Sequence, residues 1–167
     1  SHFNPDGDAF GSQIALRDSL RLTYPLKKVY ATGTGLKSFS NLLGETDLVN
    51  DDVFDNSLII LLDANELYRF EDQRCLRGKD FILIDHHIQT SKFHFTTIFV
   101  DESASSTCEL VLRLIKALDL KINPTVASSL LLGITTDTGR FQYPSNHEEV
   151  FKIATFLCSQ GASFRQI

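Results

Sequence analysis

Four short clusters hold most of the side chains in this sequence that could do chemistry: His2-Phe3-Asn4-Pro5-Asp6-Gly7-Asp8, Asp63, Asp85-His86-His87, and Thr135-Thr136-Asp137-Thr138-Gly139. They offer carboxylates and imidazoles and no thiolate, a donor set that suits Mn²⁺ or Mg²⁺ better than a cysteine-bound structural zinc. Asp6, Asp8, Asp63 and Asp137 would bring four negative charges into one cleft. Two divalent ions balance that charge, whereas one leaves the carboxylates repelling each other. Paired ions about 3.5–4 Å apart suit in-line displacement at phosphorus, because they can share a carboxylate and a water and take up charge as it develops. The implied chemistry is hydrolysis of a phosphate ester or anhydride.

Each residue also has an ordinary reading. A single aspartate at a strand end is more often a cap or turn former than a ligand, and Asp6 and Asp8 alone could be a Pro-Asp-Gly turn entering a helix. It is the set, with His2 and three further clusters, that points to a metal centre. His87 can contact phosphate or orient a ligand, against the alternative of a buried histidine bonded to backbone. Arg140 and Arg69 could each meet a phosphate or simply face solvent. His94, in an alternating polar stretch, and His147, near a helix start, have no such cluster around them and read as surface residues. Gly33 and Gly35 lack the lysine and spacing of a phosphate-binding loop and read as a turn. Asp51, Asp52 and Asp55 read as a solvated acidic loop.

The elements that must position these clusters are legible in the hydrophobic pattern. Ser57 to Leu62 and Asp80 to Ile84 are nearly continuous apolar runs, as in strands buried on both faces, and each leads into an aspartate. Lys28 to Thr32 and Thr96 to Val100 are weaker strand candidates. A helix is expected from about Ala9 to Leu20, with Ile14, Ala15, Leu16 and Leu20 on its apolar side. Ser106 and Glu109 have capping-box spacing before Leu110, Val111, Leu114, Ile115 and Leu118. Asn123 and Pro124 read as cap and first residue of a helix carrying Val126, Ala127, Leu130, Leu131 and Ile134. Ser145 and Glu148 repeat the box before Val150, Ile153, Ala154 and Leu157, with Gly161 as the stop. Strands alternating with helices predict an α/β fold: a mainly parallel sheet with helices on both faces, Rossmann-like in plan. Ligands of such sheets bind outside the carboxyl ends of the strands, where three of the clusters fall; the fourth, Thr135 to Gly139, is expected to follow the helix carrying Leu130 and Leu131.

A length of 167 residues at 43% hydrophobic content fits one domain. The net charge of −5 argues against sequence-wide attraction to nucleic acid. Cys75, Cys108 and Cys158 are odd in number and lack CxxC spacing, which predicts ordinary buried thiols and a reducing, cytoplasmic setting. No apolar run approaches the roughly 20 residues needed to span a bilayer, so no membrane partner is expected. The sequence has no methionine. With its dense polar motif at the very start, it is expected to be the catalytic part, residues 1–167, of a longer protein, lacking a first strand.

The four clusters in this order resemble the DHH phosphoesterase superfamily, which takes its name from the motif seen here as Asp85-His86-His87. The resemblance runs along essentially the whole chain. It implies that His2, Asp6 and Asp63 hold one metal and that Asp8, Asp63, His86 and Asp137 hold the other, with Asp63 as the bridge. Asp63, His86 and His87 are then the catalytic residues, while His87 and Arg140 contact substrate. The stretch from Gly133 to Phe141, and Ala104-Ser105-Ser106-Thr107 with Glu109, are similar to the branch of oligoribonucleases and 3′-phosphoadenosine-5′-phosphate phosphatases. That branch implies two divalent cations, Mn²⁺ first with Mg²⁺ or Co²⁺ as alternatives. It also implies a short RNA or DNA oligonucleotide, dinucleotide or nucleoside bisphosphate substrate, and leaves a homodimer open. Its members carry a C-terminal substrate domain, DHHA1, and nothing in this chain matches it. Asp63-Ala64-Asn65-Glu66 also resembles family II inorganic pyrophosphatases, which makes pyrophosphate hydrolysis the alternative. A nucleotide-binding module without catalysis is a further one.

Overall fold

The computed structural model describes residues 3–64, 66–144, 146–165 and 167, the side chain of Leu67 excepted. Three strands, β1 (Leu58–Leu62), β2 (Asp80–Asp85) and β3 (Thr97–Val100), form a parallel sheet in the order β1-β2-β3. Leu58 pairs with Asp80 and Leu62 with Ile84, so β1 and β2 end level with each other. The turn out of β1 therefore places Asp63 beside the Asp85-His86-His87 segment.

Among the described residues, five helices accompany the sheet: α1 (Gly7–Thr23), α2 (Ser40–Leu43), α3 (Thr107–Ala117), α4 (Pro124–Asp137) and α5 (His147–Ser159). Their starts follow local chemistry. The Asp6 carboxylate accepts from the N–H groups of Asp8 and Ala9, the Ser106 hydroxyl from Glu109, and the Asn123 amide oxygen from Val126. Glu109 reaches back to the N–H of Ser105 at 2.8 Å, closing a variant of the predicted capping box.

One face of the sheet, with Leu62 and Ile84, packs on Ala15 and Leu16 of α1, Leu110 and Ile115 of α3, and Leu130 and Ile134 of α4. The opposite face, with Leu61 and Leu83, is covered by Phe54, Phe70, Cys75 and Phe95. There the connections are short 3-10 turns, Leu67–Arg69 and Gln73–Arg77. The period-2 alternation of Leu61 and Leu62 between two cores is why both strands read as unbroken apolar runs.

Several details differ from the sequence-based expectations. Lys28 to Thr32 makes no strand. Its backbone bonds go to other groups: Arg21 Nε donates to the Val29 carbonyl, the Asp47 carboxylate accepts from the Ala31 N–H, and Gln13 Nε2 donates to the Thr32 carbonyl. The acidic run is not merely solvated, since Asp51 pairs with Arg74 at 2.8 Å and Asp55 with Arg77 at 2.7 Å. The last helix is capped by Asn146, one residue beyond Ser145, which lies outside the described residues. Cys75 and Cys108 are buried, but Cys158 is exposed. Among the described residues, no helix is long and apolar enough to cross a membrane.

Candidate metal centre

Asp8 lies in the first turn of α1, one residue beyond Gly7, and is fully buried. Its two carboxylate oxygens accept from the first N–H groups of α3: Thr107 N at 2.6 Å and Cys108 N at 2.8 Å. The start of one helix thus holds a carboxylate from the start of another, with the positive end of α3 facing the charge. Thr107 also donates its hydroxyl to Asp63 Oδ1 at 3.0 Å. Asp63 itself has φ 62, a left-handed conformation that aspartate tolerates better than most residues, and its N–H bonds to the Ile84 carbonyl. The positive φ turns the chain sharply out of β1, and strain of this kind concentrates at functional sites.

His86 supplies the meeting point. Its Nε2 lies 3.9 Å from Asp8 Oδ2, 3.8 Å from Asp63 Oδ1 and 3.2 Å from Asp137 Oδ2. Its other nitrogen, Nδ1, faces the Ala104 carbonyl at 3.4 Å. A carbonyl can only accept, so Nδ1 carries a proton, and in the neutral ring Nε2 presents a lone pair to the carboxylates. That Nε2 is buried and makes no hydrogen bond among the described residues. A buried lone pair aimed at three carboxylates is mismatched with them unless a cation stands between, so the residues fit a divalent ion. The donors fall into two groups with ligand atoms within 4.8 Å of one another: Asp8, His86 and Asp137, and Asp63, His86 and His87.

Asp137 closes the last turn of α4, with Thr135 and Thr136 inside the helix rather than after it. Burial is the main cause raising its carboxyl to about 6; the His86 ring opposes the rise, while Asp63 and Asp6 add to it. Burial, then Asp63 and Asp137, pushes Asp8 well above the ordinary carboxylate range, against the pull of the Cys108 N–H. Asp6 is exposed, and its Oδ1 is used in capping α1. It is near enough to Asp137 to act on its titration, but it does not join either ligand group.

His87 is half exposed and its Nδ1 lies 2.8 Å from Asp85 Oδ1 and 3.8 Å from Asp63 Oδ1. The hydrogen bond to Asp85 is the main cause holding the imidazole above its usual value. Asp85 is fully buried and also accepts the His87 N–H. It therefore fixes both the backbone and the ring of His87.

The structure thus brings together Asp8, Asp63, His86, His87 and Asp137, with Asp6 at the margin, and His2 lies outside the described residues. Arg140 is not among them. It is exposed, at φ 59, and lines a cavity of about 640 Å³ with Thr135, Phe141, Phe151 and Phe164. Arg69 is also exposed, and its carbonyl accepts the N–H of Phe3. His94 and His147 are exposed, as expected. Asp85, singled out in the sequence but given no role there, is a positioning residue, and Thr107 and Cys108 are the positioning residues that sequence reasoning missed. The capping box announced the start of α3, but not what its N–H groups would face.

Comparison with known proteins agrees with this geometry. Residues 1–134 match the family model described as "DHH family, N-terminal domain". The chain is 37% identical over 156 residues to the "Bifunctional oligoribonuclease and PAP phosphatase NrnA" of Bacillus subtilis, covering 92% of this chain and 49% of that protein. It is 36% identical over 164 residues to the "Probable bifunctional oligoribonuclease and PAP phosphatase NrnA" of Streptococcus mutans, covering 98% and 52%. An exopolyphosphatase-related protein from Bacteroides fragilis superimposes with a TM-score of 0.69 at 27% identity, over 99% of this chain and 54% of that one. The chain spans about half the length of these relatives. With the family model matched over most of its length and the donor residues gathered at the ends of β1, β2 and α4, the chain belongs to the DHH family.

Proposed function

We propose that the full-length protein is a metal-dependent phosphoesterase that hydrolyses very short oligonucleotides or a nucleoside 3′,5′-bisphosphate, with residues 1–167 as its catalytic domain. The observation that carries this reading is the buried, unbonded Nε2 of His86 facing Asp8, Asp63 and Asp137. The names of the two NrnA relatives favour the oligonucleotide and bisphosphate substrates over pyrophosphate.

Asp8, Asp63, His86 and Asp137 would hold the cations, with Asp6 and His2 completing the set and Asp63 as the shared ligand. We take these to be two Mn²⁺ ions in a cytoplasmic enzyme. When bound, they would supply charge neutralisation and an activated water. The chain's own residues do the rest. The α3 N–H groups fix Asp8, and Thr107 fixes Asp63, so both carboxylates are preorganised. His87, held by Asp85 and kept protonated more readily than a free imidazole, is placed to donate a proton or hydrogen bond to a phosphate oxygen. Arg140 is assigned to the substrate on its position three residues after Asp137. A second domain in the remaining half of the protein would grip and orient the substrate.

The net charge of −5 gives the chain no general attraction for a long strand, so long polymers should be poor substrates. The test is full-length protein with Mn²⁺ on a dinucleotide, a 3′,5′-bisphosphate, a long RNA and pyrophosphate. Turnover of either of the first two, well above the RNA, is the expected result. Fast pyrophosphate hydrolysis with an inert dinucleotide and bisphosphate would overturn it.

A further inference from the structure

A capping box sends the third helical residue back to the N–H of the cap itself. In α3 the cap is Ser106, and Glu109 passes it by: its Oε2 accepts from the Ser105 N–H, one residue earlier, at 2.8 Å. The Ser105 N–H and the Ala104 carbonyl are the two ends of a single planar peptide group. That carbonyl is the one that His86 Nδ1 faces at 3.4 Å. A carboxylate, a peptide and an imidazole therefore stand in series. On the far side of the imidazole is the buried Nε2 that faces Asp8, Asp63 and Asp137.

The series is sheltered and braced. Glu109 is 3% exposed, and Ala104 and Ser105 are buried with it. The Ala104 N–H donates to the Asp101 carbonyl at 3.1 Å, which fixes the other side of the same residue. Arg113 pairs with Asp101 at 2.7 Å and also with Glu109, so the buried carboxylate has a charged partner and the loop after β3 is tied to the first turns of α3.

We propose that Glu109 is a positioning residue for the metal centre, acting through the Ala104–Ser105 peptide to keep a proton on His86 Nδ1 and Nε2 turned toward the cations. A peptide whose N–H donates to a carboxylate has a stronger carbonyl acceptor, because hydrogen bonds in series polarise one another. At 3.4 Å the contact to Nδ1 is long for a hydrogen bond, so the ring depends on the strength and fixed place of that acceptor. Outer partners of ligating histidines set the tautomer and direction of the ring; here the partner is a carbonyl, and the carboxylate stands one step behind it. The inference rests on the reading of His86 as a cation ligand.

Two conservative variants of the full-length protein separate this role from that of a helix-start charge. Glu109→Gln keeps the reach to Ser105 and loses the charge, whereas Glu109→Asp keeps a charge at the positive end of α3 and is one methylene too short. NMR with ¹⁵N-labelled histidine reads the His86 Nδ1–H in the metal-free protein, assigned by its loss in His86→Ala, and calorimetry reads Mn²⁺ affinity. The unaltered protein and Glu109→Gln should both show a slowly exchanging Nδ1–H, with Mn²⁺ Kd values within about threefold of each other. In Glu109→Asp that signal should exchange faster or vanish, and Kd should rise about tenfold or more. Glu109→Asp that keeps either property, or Glu109→Gln that loses as much as Glu109→Asp, would overturn the inference, as would an unprotected Nδ1–H in the unaltered protein. An unaltered protein that binds no Mn²⁺ would instead overturn the cation reading, and the Nδ1–H comparison would still decide what Glu109 does.

Discussion

Asp63 carries the heaviest demand of any side chain in the site: it holds a left-handed backbone, takes the Thr107 hydroxyl, and faces both His86 and His87. Replacing it with asparagine removes charge while keeping its shape and its tolerance for positive φ. Asp63→Asn should therefore leave the fold intact, abolish turnover and lower the bound metal per chain, as read by circular dichroism and metal analysis. His86→Ala should likewise lose metal, because His86 is shared between the two candidate ligand groups. His87→Ala should keep most of the metal and lose turnover, since its Nδ1 is engaged by Asp85. Losses of metal from His87→Ala equal to those from His86→Ala would make His87 a ligand. Asp85→Asn should lower the His87 pKa in an NMR titration of the metal-free protein, because the carboxylate bond is the main cause of its elevation. The candidate donors themselves were legible in the sequence because aspartate and histidine are rarely gathered without cause. Their supports were not, because a donating backbone N–H such as that of Cys108 is the same in every residue.

Two helices can bring Asp8 to the centre only if they approach closely, and glycines make that possible. A side chain at Gly133 on α4 would put its Cβ 2.2 Å from Cys108 Sγ and 2.7 Å from Asp8 Oδ1. At Gly11 on α1 it would stand 2.3 Å from the Ser129 carbonyl. Gly133→Ala should thus push Asp8 off the α3 N–H groups, costing about 1–3 kcal/mol of stability and weakening metal binding as well. Gly11→Ala strains the same α1–α4 contact on a turn further from the donors, so it should cost stability with less effect on metal. Calorimetric metal titration alongside thermal melts separates the two. The elements themselves were largely legible, since capping signals at Asn123 and Ser106 and the apolar runs of β1 and β2 are local properties of the chain. Lys28 to Thr32 was misread for a physical reason: β propensity describes what a segment can pair with, while pairing needs an adjacent strand. Its hydrogen bonds to Arg21, Asp47 and Gln13 show where the backbone turned instead. The 3-10 turns over the second sheet face gave no periodic signal because they are too short to repeat one.

Over the whole molecule, the clustered carboxylates make stability depend on pH in an unusual direction when no metal is bound. Asp137 titrates near 6 in the folded chain against 3.8 as the ordinary value, and Asp8 is raised as well, chiefly by burial in both cases. The folded state holds these protons more tightly than the unfolded state, so their contribution is fully present below about 4. It is lost as pH rises through the folded values. His87, raised above 6.5, acts in the same sense, its stabilisation present below that value and fading above it. The carboxylates that are lowered, Asp72, Asp101 and Glu148, work in the opposite sense, but only near and below their ordinary values of 3.8 and 4.5. Between pH 5 and 7, therefore, the raised groups set the slope. The chelated protein should melt at a lower temperature at pH 7 than at pH 5. Mn²⁺ should reverse this, because it binds the ionised ligands and stabilises the folded state by about 2.7 kcal/mol at a hundredfold excess over its Kd. Thermal melts at the two pH values, each with chelator and with Mn²⁺, give four midpoints. A chelated midpoint that rises from pH 5 to pH 7, or one at pH 7 that Mn²⁺ leaves unmoved, would contradict the cation-binding reading of the Asp8, Asp63 and Asp137 carboxylates.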